Sequence, residues 1–323
     1  MKQVLVCGGA GYIGAHMAKL LAEAGFGVTV LDNLSTGHRE AARWGELVEA
    51  DLLNPVELER LFSGKQFDVV MHFCALSLVG DSVREPLAYY RNNVGGTLNL
   101  LHAMRQVGVD RLVFSSSAAV YGMPEQSPID EAQPEQPINP YGASKAMVER
   151  MLADAAAYGL RSVSLRYFNA AGADPSAGIG ESHNPETHLI PNLLKAALDG
   201  SVVKIFGTDY ATRDGTCVRD YVHVNDLAKA HLLALEYMQE HAGAFRFNLG
   251  SDTGYSVLEV VEAARRVTGK YIKTQSQARR AGDPPALVAS SKAAREALDW
   301  RPDYDDIDSI VESAWRWHRA ARY

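Results

Sequence analysis

The segment Gly8-Gly9-Ala10-Gly11-Tyr12-Ile13-Gly14 constrains the fold of this 323-residue chain more than any other. It follows a short apolar run, Gln3–Cys7, and opens an amphipathic stretch, Ile13–Ala24. Glycines in the pattern Gly9-x-Gly11-x-x-Gly14 permit a tight turn and let backbone N–H groups approach an anion at the positive end of a helix. Further strand-length runs lie at Gly27–Leu31, Glu46–Glu49, Val69–Phe73, Arg111–Ser115 and Ser162–Tyr167, separated by helix-length stretches at Val56–Ser63, Tyr89–Val107 and Ala143–Tyr158. This alternation predicts βαβ units, hence an α/β fold with a doubly wound parallel Rossmann sheet and ligands at the carboxyl ends of its strands.

After Phe168 the texture changes. Asn169–Thr187 is rich in Gly, Ala, Pro and Ser, and helices then recur at Leu189–Leu198, Val224–Glu236, Ser256–Thr268 and near the C-terminus. The expected division is an NAD-binding domain over residues 1–168 and a smaller C-terminal substrate-binding lobe over 169–323. A return to the main sheet is expected around 218–231, with Val218–His223 as its strand.

The dinucleotide reading rests on more than the glycines. Asp32 ends the second strand, 18 residues past Gly14. Its carboxylate can accept both adenosine ribose hydroxyls and would repel a 2′-phosphate, which favours NAD over NADP. No Arg or Lys stands in Asp32-Asn33-Leu34-Ser35-Thr36-Gly37 to offset that repulsion. The candidate cofactor residues are therefore Gly8, Gly11, Tyr12, Ile13 and Gly14 in the loop and Asp32 to Gly37 after the second strand. Asp51-Leu52 after the third strand would flank the adenine, and Phe73-Cys74-Ala75 after the fourth would let the cofactor lie against small residues.

Asn139-Pro140-Tyr141-Gly142-Ala143-Ser144-Lys145 carries the chemistry. Asn139 is a good N-cap and Pro140 a good first helical residue, so Tyr141 and Lys145 should share one helix face. A free tyrosine titrates near pH 10, and bringing it to neutrality requires roughly 3 units, or about 4 kcal/mol, of preference for phenolate. The Lys145 ammonium, the helix end and the positive nicotinamide of NAD are expected to supply it. The lysine's other donors can hold the nicotinamide ribose. Ser115-Ser116-Ser117 closes the fifth strand, where a serine can bridge a substrate hydroxyl and the tyrosine in a proton path.

A net charge of -7 argues against nucleic acid or an anionic membrane as partner. Cys7, Cys74 and Cys217 show neither disulfide nor metal-ligand spacing, and no apolar run is long enough to span a membrane. The expectation is a soluble, reduced, cytoplasmic protein with no metal site.

These residues resemble the extended short-chain dehydrogenase/reductase family, and within it the UDP-glucose (galactose) 4-epimerase branch. The similarity runs through Tyr90-Arg91-Asn92-Asn93-Val94, Phe114 to Gly122, Arg166 to Asn169, Phe206 to Tyr210, Val218 to Val224 and Arg279 to Asp283. It implies that Ser117, Tyr141 and Lys145 are catalytic and that Asn93 and Phe168 line the NAD site. It further implies that Asn169 and Leu189 touch the nucleotide sugar, Lys204 and Phe206 border the uracil, Arg219 and Arg280 bind the diphosphate, and Asp283 its ribose. Arginine forks suit phosphate oxygens, and an aromatic suits a base. Two positions depart from the pattern. Ser77, beside the cofactor diphosphate, stands where many relatives carry lysine. Leu287 stands where some carry a tyrosine that limits the sugar's 2-substituent, which leaves N-acetylhexosamines and pentoses open as substrates. The family forms homodimers through the helices corresponding to Tyr89–Val107 and Ala143–Tyr158. The rival readings are a nucleotide-sugar 4,6-dehydratase, disfavoured because Ala118-Ala119 replace its Asp-Glu, and a non-catalytic NAD sensor.

Overall fold

Side chains alternate along the strand Gln3–Cys7 (β1): Val4 and Val6 enter one hydrophobic core, Leu5 and Cys7 another, and all four are fully buried. A strand buried on both faces belongs in the middle of a covered sheet. In the computed structural model, which describes residues 1–280 and 283–323, β1 has Gly27–Asp32 (β2) on one side and Val69–His72 (β4) on the other. Glu46–Glu49 (β3), Arg111–Ser115 (β5) and Arg161–Arg166 (β6) extend the sheet, and Ala244–Asn248 closes one edge. All seven strands are parallel, in the order Ala244–Asn248, β6, β5, β4, β1, β2, β3. The strand order reverses between β1 and β4, so a crevice opens at the carboxyl end of β1.

Met17 and Leu21 of helix Tyr12–Glu23 (α1) cover one face of the sheet together with Leu227, Ala234 and Met238 of helix Val224–Glu240. The other face is covered by Leu58, Leu100, Met104, Val148 and Leu152 from helices Pro55–Gly64, Gly96–Val107 and Pro140–Ala155. A separate core gathers Leu193, Leu194, Val260, Val261, Ile310 and Val311 from helices Leu189–Asp199, Val257–Thr268 and Ile307–His318. The stretch Tyr89–Val107 is not a plain helix: Pro86–Tyr89 leads into a widened π turn, Tyr90–Gly95, before Gly96–Val107.

One expectation is corrected. Val218–His223 does not join the main sheet. Asp220, fully buried, accepts N–H bonds from Ser251 and Ala289 and breaks the run into two short pieces. Val218–Arg219 pairs with Tyr255–Ser256 and Ala286–Leu287, and Tyr221–His223 pairs with Asn169–Ala171. The return to the main sheet is instead the helix Val224–Glu240 followed by the edge strand Ala244–Asn248.

Candidate active site

The glycine loop is shaped for close backbone approach. Gly8 has a φ of 80°, and a Cβ there would lie 2.8 Å from the Cys74 nitrogen. A Cβ on Gly14 would lie 2.1 Å from the Gly8 carbonyl oxygen, so α1 sits directly on the turn. Gly11 caps α1 without a side-chain acceptor, and Tyr12-Ile13-Gly14 brings no acidic group to the first turn. Its N–H groups and the positive helix end are thus left for an anion. The Tyr12 hydroxyl donates to the Gly172 carbonyl at 2.6 Å, tying the loop to the chain beyond β6, and Ile13 packs on the sheet core.

Asp32 is buried beside the loop, its Oδ2 accepting from Ala10 N–H and its Oδ1 from Leu34 N–H, both at 2.9 Å. Each oxygen keeps a lone pair for a hydroxyl donor. Burial raises the carboxyl pKa and the two N–H bonds partly offset it. Asn33 reaches Asp51 Oδ2 at 3.0 Å, and Ser35 N–H bonds Asn33 Oδ1 at 3.0 Å, with Thr36 exposed at the turn. Gly37 packs on Ala10, where a Cβ would meet the carbonyl carbon at 2.9 Å. Leu52 is buried under Gly96. The Phe73 N–H bonds the Cys7 carbonyl at 2.8 Å, Cys74 lies against Gly8, Ala75 is half-buried and Ser77 is exposed. A glycine cradle at a helix end, flanked by a buried carboxylate with spare lone pairs, fits a dinucleotide with free ribose hydroxyls.

The catalytic helix begins as its sequence dictates, with the Asn139 side chain accepting from Gly142 N–H at 2.9 Å and Pro140 in the first turn. Ser117 ends the strand-five segment and caps the turn Ala118–Tyr121, its Oγ accepting from Ala119 N–H at 3.1 Å. That bond leaves the Ser117 proton free to be donated, and Ser117 stands close enough to the Tyr141 phenol to lower its pKa. Gly142 makes this meeting possible, because a Cβ there would lie 2.4 Å from the Ala119 carbonyl oxygen. Lys145 is buried; its Nζ donates to the Ser115 carbonyl at 2.7 Å and lies 5.8 Å from the Tyr141 ring centre. Burial lowers the Lys145 pKa to about 8.

Without NAD the protein supplies only part of the electrostatics expected of this site. Burial raises the Tyr141 pKa above the ordinary phenol value, and Ser117 offsets only part of that. With Nζ engaged by a carbonyl, the ammonium does not pull the phenol down. The protein's own groups therefore keep Tyr141 protonated at neutral pH.

Asn93 proves to be a strut. Its side-chain oxygen accepts from Leu76 N–H at 2.8 Å, and its amide donates to the Leu76 carbonyl at 3.0 Å and to Ser144 Oγ at 2.9 Å. It clamps the loop after β4 to the helix that carries Tyr141, from within the π turn.

The residues expected to hold substrate form several local groups. Phe168 and Leu287 pack together against Ala118, Val120, Tyr121 and Ile129. Leu287 pairs in register with Arg219, whose guanidinium donates to the Pro284 carbonyl at 3.0 Å and lies 3.5 Å from Asp283. Arg280 stacks on Phe206, 4.0 Å from the ring centre. Asn169 donates to the Asp220 carbonyl at 2.7 Å. Leu189 heads its own helix and packs on the third core, and Lys204 shares the outward face of the strand Val203–Phe206 with Phe206. Ala281 and Gly282 of the Arg279–Asp283 motif lie outside the described residues.

Residues 4–250 match the model of the NAD dependent epimerase/dehydratase family. The chain belongs to this family. As an NAD dependent epimerase/dehydratase, it is similar over nearly its whole length to several UDP-sugar 4-epimerases. A UDP-glucose 4-epimerase of Lacticaseibacillus casei is 51% identical over 98% of this chain and 96% of its own. The structure of UDP-glucose 4-epimerase from Brucella ovis in complex with NAD superposes with a TM-score of 0.95 at 50% identity, covering 98% of both chains. A UDP-Glc/GlcNAc 4-epimerase from Campylobacter jejuni gives 0.87 at 40% identity, covering 99% of each.

Sequence reasoning missed the buried polar network that holds this epimerase/dehydratase centre together. Arg166, with no exposed surface, bonds both oxygens of Glu149 and the Tyr121 hydroxyl, the last at 2.8 Å, and pairs with Glu135. Ser116 donates to Glu149, and the Ser115 and Tyr167 hydroxyls meet at 2.5 Å. The available signal was Glu149 itself, a charge between Val148 and Leu152 on the buried face of the catalytic helix.

Proposed function

We propose that the chain is a UDP-glucose 4-epimerase, interconverting UDP-glucose and UDP-galactose by transient oxidation at C4. The observation that carries this reading is the Tyr141–Ser117 pair at the carboxyl end of β5, with Lys145 beneath it and the glycine cradle alongside. NAD, when bound, supplies a hydride acceptor and donor for C4 together with the positive charge that the protein alone does not bring to Tyr141. Tyr141 takes the 4-hydroxyl proton, directly or through Ser117, as the sugar becomes a 4-keto intermediate. The same oxygen returns the proton once the keto sugar has turned and been reduced on its opposite face. Binding must then rest mainly on the UDP moiety, so that the pyranose can rotate. Arg219 and Arg280 face the diphosphate, Phe206 and Lys204 the uracil, Asp283 the ribose, and Asn169 and Leu189 the sugar.

Purified protein should convert UDP-galactose to UDP-glucose with no added reductant. Release of a dehydrated 4-keto sugar, or NAD binding without turnover of any UDP-sugar, would overturn the assignment in favour of a dehydratase or a sensor. Leu287 supports a second activity on UDP-N-acetylhexosamines, because a leucine at that place leaves more room beside the sugar than a tyrosine. The exposed apolar side chains Val83, Leu87, Leu98 and Met147 lie on the helices Val79–Arg84, Pro86–Tyr89, Gly96–Val107 and Pro140–Ala155 and support a homodimer. Light scattering should then give twice the chain mass of 35.2 kDa. No helix among the described residues is long and apolar enough to cross a membrane. Three free cysteines agree with a reducing, cytoplasmic setting.

A further inference from the structure

Glu181, His183, Glu186 and His188 lie in the segment between Ile179–Gly180 and the helix Leu189–Asp199, outside the catalytic machinery. One donor atom from each falls within 4.8 Å of the other three. His183 Nδ1 is 3.2 Å from Glu181 Oε1 and 3.7 Å from Glu186 Oε2. His188 Nδ1 is 3.5 Å from Glu186 Oε1 and 2.5 Å from Glu181 Oε1. A tetrahedral zinc site with bonds of roughly 2.0–2.1 Å has ligand–ligand edges of about 3.3 Å. Three of the four separations lie within a few tenths of an ångström of that edge, with Glu186 presenting Oε2 to His183 and Oε1 to His188. The fourth must open by ~0.8 Å to reach it, a small rotation for the half-exposed His188.

A second observation points the same way. His183 Nδ1 is enclosed yet makes no well-angled hydrogen bond among the described residues, although two carboxylates stand near it. Glu181 and His188 pair directly through a hydrogen bond, while the four donor atoms together stand around one shared space. The backbone around them is pinned: Trp317 Nε1 donates to the Glu181 carbonyl at 2.9 Å, and the His38 ring meets the Ser182 carbonyl at 3.1 Å. The pattern Glu-x-His-x-x-Glu-x-His contains no cysteine pair and no standard metal spacing, which is why the sequence raises no such expectation.

We propose that Glu181, His183, Glu186 and His188 form a divalent transition-metal site suited to zinc. Two imidazoles and two carboxylates match zinc's ligand preferences and neutralise its charge. A bound ion would cross-link the segment leading to Leu189. Protons on both imidazoles are the competing way to balance the carboxylates, whose proximity raises the pKa of both rings; for His188 this overcomes the lowering effect of burial. Zinc binding should accordingly release protons.

The test is a zinc titration of the chelator-treated holoenzyme against a chromophoric competitor, repeated with His183→Gln and Glu186→Gln. One equivalent should bind the natural protein, each substitution should weaken binding by roughly 100-fold, and zinc should raise the melting temperature only of the natural protein. Cobalt should give the intense visible bands of a four-coordinate ion. Failure of the natural protein to compete for zinc, or variants that bind zinc as tightly as the natural protein with NAD binding intact, overturns the site. Neither readout uses turnover, so the result stands apart from the 4-epimerase assignment.

Discussion

At the scale of single residues, the main difference between expectation and structure concerns charge. The phenol was expected to be depressed by Lys145, the helix end and the nicotinamide of NAD together; in the protein alone the ammonium is bound to the Ser115 carbonyl and burial dominates. The free protein should therefore titrate Tyr141 above about 10, with NAD binding lowering the value. Phenolate absorbance followed with and without NAD, using Tyr141→Phe as the blank, checks this; identical titrations would sink it. The same substitution keeps the ring and its packing but removes the proton carrier, so kcat should fall by roughly 10²–10⁴-fold with NAD binding retained. Leu287→Tyr acts on specificity instead. It should cut turnover of UDP-N-acetylgalactosamine by roughly tenfold or more while sparing UDP-galactose, measured as kcat/KM for both.

At the scale of elements, position is set by close approaches and buried charges. The helix Pro140–Ala155 touches the Ser117 turn through Gly142, so Gly142→Ala must push Tyr141 away from Ser117. Activity should drop further than stability, whereas equal losses in turnover and melting temperature would show that the contact is only structural. Glu149→Gln leaves the fully buried Arg166 with only the half-buried Glu135 as charge partner, which should destabilise the fold by about 3 kcal/mol; chemical denaturation measures it. These dependencies explain what was legible in advance. Six strands and the helix starts were readable because apolar runs and caps such as Asn139-Pro140 act locally. The edge strand Ala244–Asn248 was missed because only one face is covered: Phe245 and Phe247 alternate with an exposed Arg246, too short a pattern to stand out. Asp220 split Val218–His223 through bonds to Ser251 and Ala289, partners that only the fold brings near. The bonds of Asn93 to Leu76 and Ser144 were likewise out of reach, because only the fold brings those partners near.

At the scale of the molecule, four buried histidines make stability depend on acidity. His16 and His231 each bond a helix carbonyl through Nδ1, at 2.7 and 2.8 Å, and their Nε2 atoms have no partner among the described residues. His72 bonds Thr97 and lies near Lys145, and His223 bonds Ser313. Burial holds the four pKa values at about 4, 3, 3 and 4 for His16, His72, His223 and His231, against 6.5 in a free chain. A base depressed in the fold contributes stability that is present above 6.5 and lost as pH falls, because the unfolded chain takes up the proton first. Asp220 works the other way. Burial raises it to about 6, so it favours the fold as pH drops from there toward 3.8. Between pH 6 and 4.5 the net effect is an uptake of about three protons on unfolding, each worth roughly 1.4 kcal/mol per pH unit. From these five groups, urea midpoints should accordingly fall steeply from pH 6 to pH 5. His231→Gln, which removes one titrating ring, should shallow that slope by about one proton. A profile unchanged by the substitution would mean that His231 binds its proton equally in the folded and unfolded chain, against the apolar packing of Phe73 and Tyr167 around its ring.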